Sequence, residues 1–320
     1  MYYITHYDVI NIQAPHYQSL AEAISHTTSG NHLLLHGIVV STPTPTHEEL
    51  ITEAASNGLS IFTEKPVDET ADKIRALFNT TEKHKVNLCC GFQRRFDSSY
   101  LSLYHQVNTV RAIGSPLTAN IFFGDHPVPT RQFLLQGGGN IISDCSAHDV
   151  DYIRWVLQDE VKSVYATGTS SDEELSERGV IDNATMVMKF MRGTVVTLTL
   201  SRGANYGYDQ RCEVFGTEGL AVVRNHPGNS SELLDDVGLH RPKWQHSFPQ
   251  RFEAAFANEL DAFANTLLLG TPWSVLEEDC VAVQRVCDAA LESCESGEVV
   301  QLDNIKGTAV VGEVESVVSQ

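Results

Sequence analysis

The sequence is poor in basic residues. It has 22 lysines and arginines against 41 aspartates and glutamates, which gives a formal net charge of −19. Such a surface argues against nucleic acid or an anionic membrane as a partner, because both need a basic face. It leaves open a phosphate-bearing ligand, since backbone amides and helix N-termini can hold phosphate at any net charge.

Long apolar runs are also missing. No segment approaches the roughly 20 apolar residues that span a bilayer. The first ten residues, MYYITHYDVI, lack the basic start and apolar core of a signal peptide. We therefore expect a cytoplasmic protein without membrane contact.

The seven cysteines show no zinc-ligand spacing. An odd number without such spacing fits reduced thiols better than a disulfide framework, and we expect no metal site. Cys280, Cys287 and Cys294 recur every seven residues in a helical pattern. Because free cysteine behaves as a small hydrophobic residue, this spacing predicts one buried stripe.

The first third of the chain alternates strand and helix patterns. Apolar strands are predicted in LLLHGIVV, LSIFTEKP and VNLCCGF, with helices in HEELITEAASNG and ETADKIRALFNTTEKHK. Strands that are apolar throughout and alternate with helices belong to a parallel sheet covered on both faces. Residues 1–114 are thus interpreted as part of a doubly wound α/β domain.

The pattern changes after Gly114. A long strand, LTANIFFGD, is followed by the glycine cluster QGGGN, the helix SDCSAHDVDYIRWVLQ and several strands joined by glycine-bearing turns. This order predicts a second α/β domain over residues 115–303, with a large open mixed sheet and two closing helices. Residues 304–320 have no clear periodicity and are interpreted as a tail.

The fragment TEKPV places a lysine directly before a proline at a strand end. Proline pushes the residue before it out of the helical region, so Lys65 should be extended there. Ligands of open parallel sheets bind at this carboxyl edge. Lys65 is therefore a candidate ligand contact, and the alternative is a surface turn with a Glu-Lys pair.

The helix SDCSAHDVDYIRW carries Asp144 and His148 four residues apart. That spacing predicts one helix face, where the carboxylate would orient the imidazole and raise its basicity. The arrangement suits a general base. The alternative is an aspartate that only complements the helix dipole.

Four motifs together resemble those of the Gfo/Idh/MocA family of nicotinamide-dependent oxidoreductases. They are STPTPTHEEL, TEKPV, GFQRRFDSSY and GGGNIISDCSAHDVDYIRW, in that order. YGYDQRCEVFGTEG and FPQRFEAAFANELDAF are similar to the inositol 2-dehydrogenase branch. The likeness extends from about Ile38 to Val300, and it implies a Rossmann domain followed by a substrate domain with an open mixed sheet.

The resemblance implies a catalytic set of Lys65, Asp144 and His148. His148 would be the base, Lys65 the cation beside the developing alkoxide, and Asp144 the group that holds both. The implied substrate is a cyclic polyol, most simply myo-inositol oxidised to 2-keto-inositol. A dimer or tetramer is also implied.

Other residues receive ligand roles by the same resemblance. An arginine after the third strand could instead pair with a carboxylate between the domains, and the YGYDQR residues could be ordinary polar residues of a hairpin. The expected cofactor contacts are Thr42, Pro43, Thr44, His47, Glu64, Lys65 and Arg94, and the expected substrate contacts are Arg95, Asp144, His148, Tyr208, Asp209 and Arg211.

The family's GxGxxG turn is absent from this sequence. Before Leu33 the only glycine is Gly30, so the backbone turn that approaches a cofactor pyrophosphate cannot form there. For the polypeptide as written we expect weak or no NAD binding and an exposed sheet edge. An incomplete gene model or short isoform is favoured over a real loss of the cofactor site.

Two alternatives to an inositol dehydrogenase stay open. One is a pyranose dehydrogenase of the same family, against which YGYDQR argues mildly. The other is a non-catalytic sugar-binding or regulatory relative, which the missing glycine turn favours. NAD is favoured over NADP, although the residue that discriminates between them should lie in the missing part.

Overall fold

The computed structural model describes residues 16–28, 35–135 and 140–302. The predictions for the first fifteen residues, for Gly30, for the glycine cluster 137–139 and for the tail lie outside the described residues. One short helix, α1, covers Leu20–Thr28.

The N-terminal part contains a parallel sheet, as the alternating pattern predicts. Its strands are in the order β1-β2-β3, and each is joined to the next by a helix. The elements are β1 Gly37–Val40, α2 His47–Ser56, β2 Ser60–Glu64, α3 Ala71–His84 and β3 Leu88–Gly91. Because the strands are parallel, the loops that follow them meet at one edge of the sheet.

Short helices connect the two sheets, and a second group of short helices, after the first strand of the second sheet, precedes the helix that carries His148. A 3₁₀ turn, Gln93–Phe96, follows β3, and α4 Ser98–Tyr104 continues into a π-helical turn, His105–Thr109. After the first strand of the second sheet come α5 Arg131–Leu135, the π-helical turn Ile141–Cys145 and α6 Ser146–Leu157.

The second sheet has seven strands and is mixed, as predicted. Among the described residues the order is β12-β5-β6-β7-β4-β8-β9, and only the β4–β7 pair is parallel. The strands are β4 Pro116–Gly124, β5 Val161–Thr169, β6 Asn183–Phe190, β7 Val195–Ser201, β8 Asp209–Gly216, β9 Leu220–Val223 and β12 Val300–Gln301. The short helix α7 Glu173–Glu177 and the hairpin β10 Leu233–Leu234 and β11 Leu239–His240 lie in the connections.

In the described part of the chain, three helices precede β12: α8 Phe248–Arg251, α9 Glu253–Leu269 and α10 Glu277–Ser296. This part of the chain also contacts the parallel sheet. Phe263 of α9 packs against Phe62 of β2 with ring centroids 5.8 Å apart, and Trp273 contacts Phe62 edge-on at 6.0 Å. Segments far apart in sequence thus share one core, which fixes the parallel sheet against the second domain.

The two faces of the seven-stranded sheet differ. Alternate side chains of β8 are buried or exposed, so the face covered by helices is apolar and the other is open to solvent. Val187 of β6 and Phe215 of β8, both on the open face, are 39% and 51% exposed. Apolar residues at this level of exposure are candidates for contact with another molecule.

The cysteine stripe of α10 is confirmed. Cys280 and Cys287 are buried and Cys294 is half-buried, and all three are free thiols. Among the described helices, none is long and apolar enough to cross a membrane.

Candidate active site

Lys65 leaves the end of β2 and reaches the second domain. Its ammonium donates to Asp144 Oδ1 and to the Asp144 backbone carbonyl, both at 2.7 Å. The Lys65 side chain is 12% exposed and the Asp144 side chain 39%. The bend at Pro66 therefore places a charged amine between the two domains, as the TEKPV fragment suggested.

Asp144 lies in the π-helical turn that precedes α6. Turns of this kind widen the helix and often occur at functional sites. The carboxylate is shared between two cations, because its second oxygen, Oδ2, accepts from Arg202 at 2.7 Å. Burial opposes ionisation, but the charges of Lys65 and Arg202 outweigh it and hold the pKa of Asp144 well below its usual range.

Lys65 is correspondingly held in its charged form. Burial alone would lower the pKa of the ammonium, but the Asp144 carboxylate outweighs burial and raises it above the ordinary value. Lys65 is therefore a cation at neutral pH. A group of this kind can stabilise negative charge on a nearby oxygen but cannot accept a proton.

Asp144 does not orient His148 through a hydrogen bond, as the sequence suggested, and its effect on the pKa of His148 is outweighed. Among the described residues no hydrogen bond reaches its buried Nδ1, and its ring meets Phe92 edge-on at 6.0 Å. Burial and the positive charges of Lys65 and Arg94 lower the pKa of His148 well below 6.5, and Asp144 offsets this only in part. The expectation of raised basicity is wrong, because burial and two cations outweigh the Asp144 carboxylate, whose oxygens bind Lys65 and Arg202.

His47 has a structural task at the edge of the parallel sheet. It is 1% exposed, its Nε2 lies 2.9 Å from the Thr42 carbonyl, and its Nδ1 lies 3.1 Å from the Pro66 carbonyl. The ring thus ties the loop after β1 to the bend beside Lys65. This corrects the expectation that His47 faces a cofactor.

The other expected cofactor contacts at this edge lie on accessible backbone. Thr42 and Pro43 are exposed and Thr44 is half-buried in a 3₁₀ turn. Glu64 is half-buried, and burial raises the pKa of its carboxyl against the opposing charge of Lys65. Contact of these four residues with a cofactor stays a prediction.

Arg94 and Arg95 point into the protein. Arg94 donates to Asp149 at 2.6 Å and to Gln210 at 2.8 Å, and Arg95 donates to both carboxylate oxygens of Asp151 at 2.6 and 2.9 Å. Their exposures are 1% and 4%. The ligand roles expected of them are corrected: both clamp α6 to the segment after β3, which is the carboxylate-pairing alternative.

The YGYDQR segment enters the second sheet with its side chains on opposite faces. Gln210 faces the helices, and its amide donates to Asp149 at 2.8 Å. Arg211 faces the open side, where its guanidinium lies 4.8 Å from the Phe122 ring centroid and donates to Asp209 at 2.8 Å. The substrate roles expected of Arg211 and Asp209 are corrected, because strand alternation turns Arg211 away and engages Asp209 in a pair with it.

Tyr208 is on the inner side of the segment. It is 3% exposed and meets the rings of Phe123 and Phe252 edge-on at 5.8 and 6.2 Å. Burial is the main reason why its phenol pKa is raised. Its part in substrate binding stays a prediction.

Two residues of the site, Arg202 and Asp125, were missed by sequence reasoning. Arg202 is 6% exposed and donates to Asp125 at 3.1 Å as well as to Asp144. Arg202 follows the end of β7 and Asp125 follows the end of β4. In the sequence, the patterns of these two segments indicate strands and give no sign of a site. The parallel pairing of those strands was the signal, and it involves segments that are far apart in the chain.

Comparison with known proteins agrees with this architecture. The model of an oxidoreductase family with an NAD-binding Rossmann fold matches residues 8–92, and the model of the GFO/IDH/MocA C-terminal domain matches residues 106–222. The first match begins well before Ile38, so the likeness reaches further toward the N-terminus than the motifs indicated.

Among curated relatives, an inositol 2-dehydrogenase of Rhizobium meliloti is 33% identical over 257 residues, 80% of this chain and 77% of the relative. A myo-inositol 2-dehydrogenase of Thermotoga maritima is 32% identical, over 84% of this chain and 80% of the relative. The structure of a scyllo-inositol dehydrogenase of Lactobacillus casei with bound NAD(H) and scyllo-inositol is 27% identical, with a TM-score of 0.78 over 85% of this chain and 81% of that one. The chain therefore belongs to the Gfo/Idh/MocA family of oxidoreductases, whose N-terminal domain is an NAD-binding Rossmann fold.

Proposed function

We propose that this protein oxidises a secondary alcohol of a cyclic polyol, with myo-inositol as the substrate and 2-keto-inositol as the product. The observation that carries the proposal is the Lys65–Asp144 ion pair, 2.7 Å long, which joins the end of β2 to the turn before α6. His148 follows on α6. The names of the relatives from Rhizobium meliloti and Thermotoga maritima support the substrate class.

The residues at this edge fit the nicotinamide end of a dinucleotide. His148 Nδ1 is buried and lacks a partner among the described residues, Lys65 is partly exposed, and Glu64 is a half-buried carboxylate beside it. A ligand seated between the domains would complete these contacts. When bound, a nicotinamide cofactor supplies the acceptor for the hydride; Thr42, Glu64 and Lys65 would hold it.

His148 is the group that can take the hydroxyl proton. Its low pKa keeps the imidazole neutral at neutral pH, which is the form that accepts a proton. Asp144 is unsuited to this task, because two cations keep its carboxylate ionised far below neutral pH.

Lys65 stabilises the oxygen from which that proton leaves. As the hydroxyl proton moves to His148, negative charge grows on the alcohol oxygen, and an ammonium held nearby lowers the energy of that state. Asp144 keeps the ammonium in place through one short ion pair and one bond to its backbone carbonyl. His148, the neutral base, thus accepts the proton, and Lys65, the fixed cation, stabilises the oxygen that the proton leaves.

NAD is the cofactor that we favour. The Lactobacillus casei structure holds NAD(H) together with scyllo-inositol. NADP differs by a phosphate on the adenosine ribose, and the residue that discriminates in such folds follows the second strand of a complete Rossmann domain.

The test is a substrate panel with the purified chain. Formation of NADH is followed with myo-inositol, scyllo-inositol and D-glucose, each at a series of NAD and NADP concentrations that extends to the millimolar range, because weak binding is expected. We expect turnover with an inositol and NAD. Turnover with glucose alone would favour the pyranose dehydrogenase, whereas calorimetric binding of a polyol without turnover would favour a sugar-binding relative.

We further infer that the chain forms a homo-oligomer through the open face of the seven-stranded sheet. Val187 and Phe215 on that face are 39% and 51% exposed, and exposed apolar patches commonly mark contacts between molecules. Light scattering is expected to give a dimer or tetramer, and Phe215→Asp is expected to shift it toward the monomer. A monomeric wild-type protein would contradict the inference.

A further inference from the structure

Each oxygen of the Asp144 carboxylate binds a different cation. Oδ1 accepts from the Lys65 ammonium at 2.7 Å, and Oδ2 accepts from the Arg202 guanidinium, also at 2.7 Å. Arg202 donates in turn to Oδ2 of Asp125 at 3.1 Å. The four side chains form a continuous line of alternating charge that begins at Lys65 and ends at Asp125.

The fold brings Arg202 to this position through one strand pairing. β4 and β7 are parallel neighbours in which Gly124 is opposite Ser201, so the residues that follow, Asp125 and Arg202, emerge at the same edge of the sheet. The Asp125 amide donates to the Ser201 carbonyl at 2.8 Å, which fixes the two strand ends to each other. Arg202 is therefore held by the rigid sheet domain.

The second cation restricts the Asp144 carboxylate. A carboxylate bound by one cation can rotate about its final torsion and exchange its oxygens, but one bound on both oxygens has a single orientation. Arginine suits this task because its guanidinium stays charged and its donors form a rigid fork. With its side chain 7% exposed, Arg202 has little access to water that could replace the lost bonds.

We propose that Arg202 is a positioning residue for the reaction: it fixes the Asp144 carboxylate so that Oδ1 holds the Lys65 ammonium at the reacting oxygen. This inference rests on the proposed function. Arg202 acts through Asp144 and does not touch the substrate, so its loss should slow the chemical step and leave substrate binding in place.

The test compares Arg202→Gln with wild type in two independent ways. In a crystal structure of the variant, we expect Asp144 to turn and the Lys65 ammonium to leave hydrogen-bonding distance of Oδ1, about 3.5 Å or more. In steady-state kinetics we expect kcat to fall by about 10- to 100-fold, as for a displacement of about 1 Å at a catalytic group. KM for the polyol should stay within about 3-fold, since uniform binding is unchanged.

Two further variants separate positioning from a general loss of stability. Arg202→Lys keeps a cation but loses the fork, so it should recover part of kcat. Arg251→Gln removes another buried arginine, 8% exposed, which donates to Asp97 at 2.8 Å. That control is expected to lose stability while kcat stays at the wild-type value.

Three results would overturn the proposal. They are a Lys65–Asp144 pair that keeps its length in Arg202→Gln, an unchanged kcat, or a rise in KM alone, which would make Arg202 a substrate contact. If the wild-type protein turns over no polyol, the proposed function fails. The crystal structure then still decides whether Arg202 positions Asp144.

Discussion

The Lys65 ammonium lies 2.7 Å from Asp144 Oδ1, although 79 positions separate the two residues in the chain. Lys65 follows the last residue of β2 in the parallel sheet, and Asp144 precedes α6 of the second domain. Their contact is one of those that join the two domains. Because both groups are charged, it also fixes a dipole at that junction, and the predictions about catalysis depend on it.

Replacing Lys65 by methionine should remove the cation beside the reacting oxygen while keeping most of the side-chain volume. We expect kcat to fall by about 100- to 1000-fold, the usual loss when one group that stabilises a developing oxyanion is removed. Steady-state NADH formation measures it. Lys73→Met is the matched control, because that lysine is 52% exposed, and its ion pairs in the described part of the chain are with the exposed Glu48 and the buried Asp68, not with Asp144. Activity equal to wild type in Lys65→Met would exclude the assigned role.

The pH dependence should report His148. Its pKa is lowered below 6.5 by burial and by the neighbouring cations Lys65 and Arg94, so the base stays neutral as the pH falls through 6.5. The acid limb of kcat/KM is therefore expected below pH 6.5. His148→Gln should lower kcat/KM by about 100-fold or more and abolish that limb. An acid limb above pH 6.5 in wild type would contradict the assignment.

Sequence patterns predicted the elements well and the partners of side chains poorly. The strand end at Lys65 could be predicted because proline constrains the chain locally. Arg211 could not be placed, because a one-residue difference in strand phase turns a side chain to the other face of a sheet. The role of Arg202 could not be predicted for a further reason. It depends on the pairing of β4 with β7, which no local sequence pattern indicates.

The buried pair of Arg94 and Asp149 should matter for stability rather than for cofactor binding. Arg94→Met leaves Asp149, which is fully buried, without its cation. We expect a loss of about 3–5 kcal/mol in the free energy of unfolding, the usual cost of breaking such a pair. Urea unfolding measures it, and the double variant Arg94→Met with Asp149→Asn should recover part of the loss. A large rise in KM for NAD with unchanged stability would restore Arg94 as a cofactor contact.

Glu259 should make stability depend on pH. It is 1% exposed on α9, and burial, together with the charges of Glu64 and Asp151, raises its pKa from 4.5 to about 9. Because folding raises this pKa, the contribution of Glu259 to the free energy of unfolding is fully present below pH 4.5. It is lost as the pH rises toward about 9.

The glutamine of Glu259→Gln is neutral at every pH, so the free energy of unfolding of the variant should rise relative to that of wild type as the pH rises. We expect an advantage of up to about 5 kcal/mol in the free energy of unfolding at about pH 8, measured by urea unfolding across the pH range. Glu253→Gln, at an exposed position of the same helix, controls for the loss of one carboxylate. An advantage that does not grow with pH would show that Glu259 is ionised in the folded protein.

The most direct test of the account follows the hydride itself. Wild-type protein is incubated with NAD and myo-inositol that carries deuterium on the carbon to be oxidised, and the reduced cofactor is analysed by mass spectrometry. We predict that wild-type protein forms reduced nicotinamide with one deuterium per molecule. Lys65→Met should form almost no reduced nicotinamide in the same time. Reduced cofactor without deuterium, or equal amounts of deuterated cofactor from the two proteins, would contradict alcohol oxidation at the Lys65–Asp144 site.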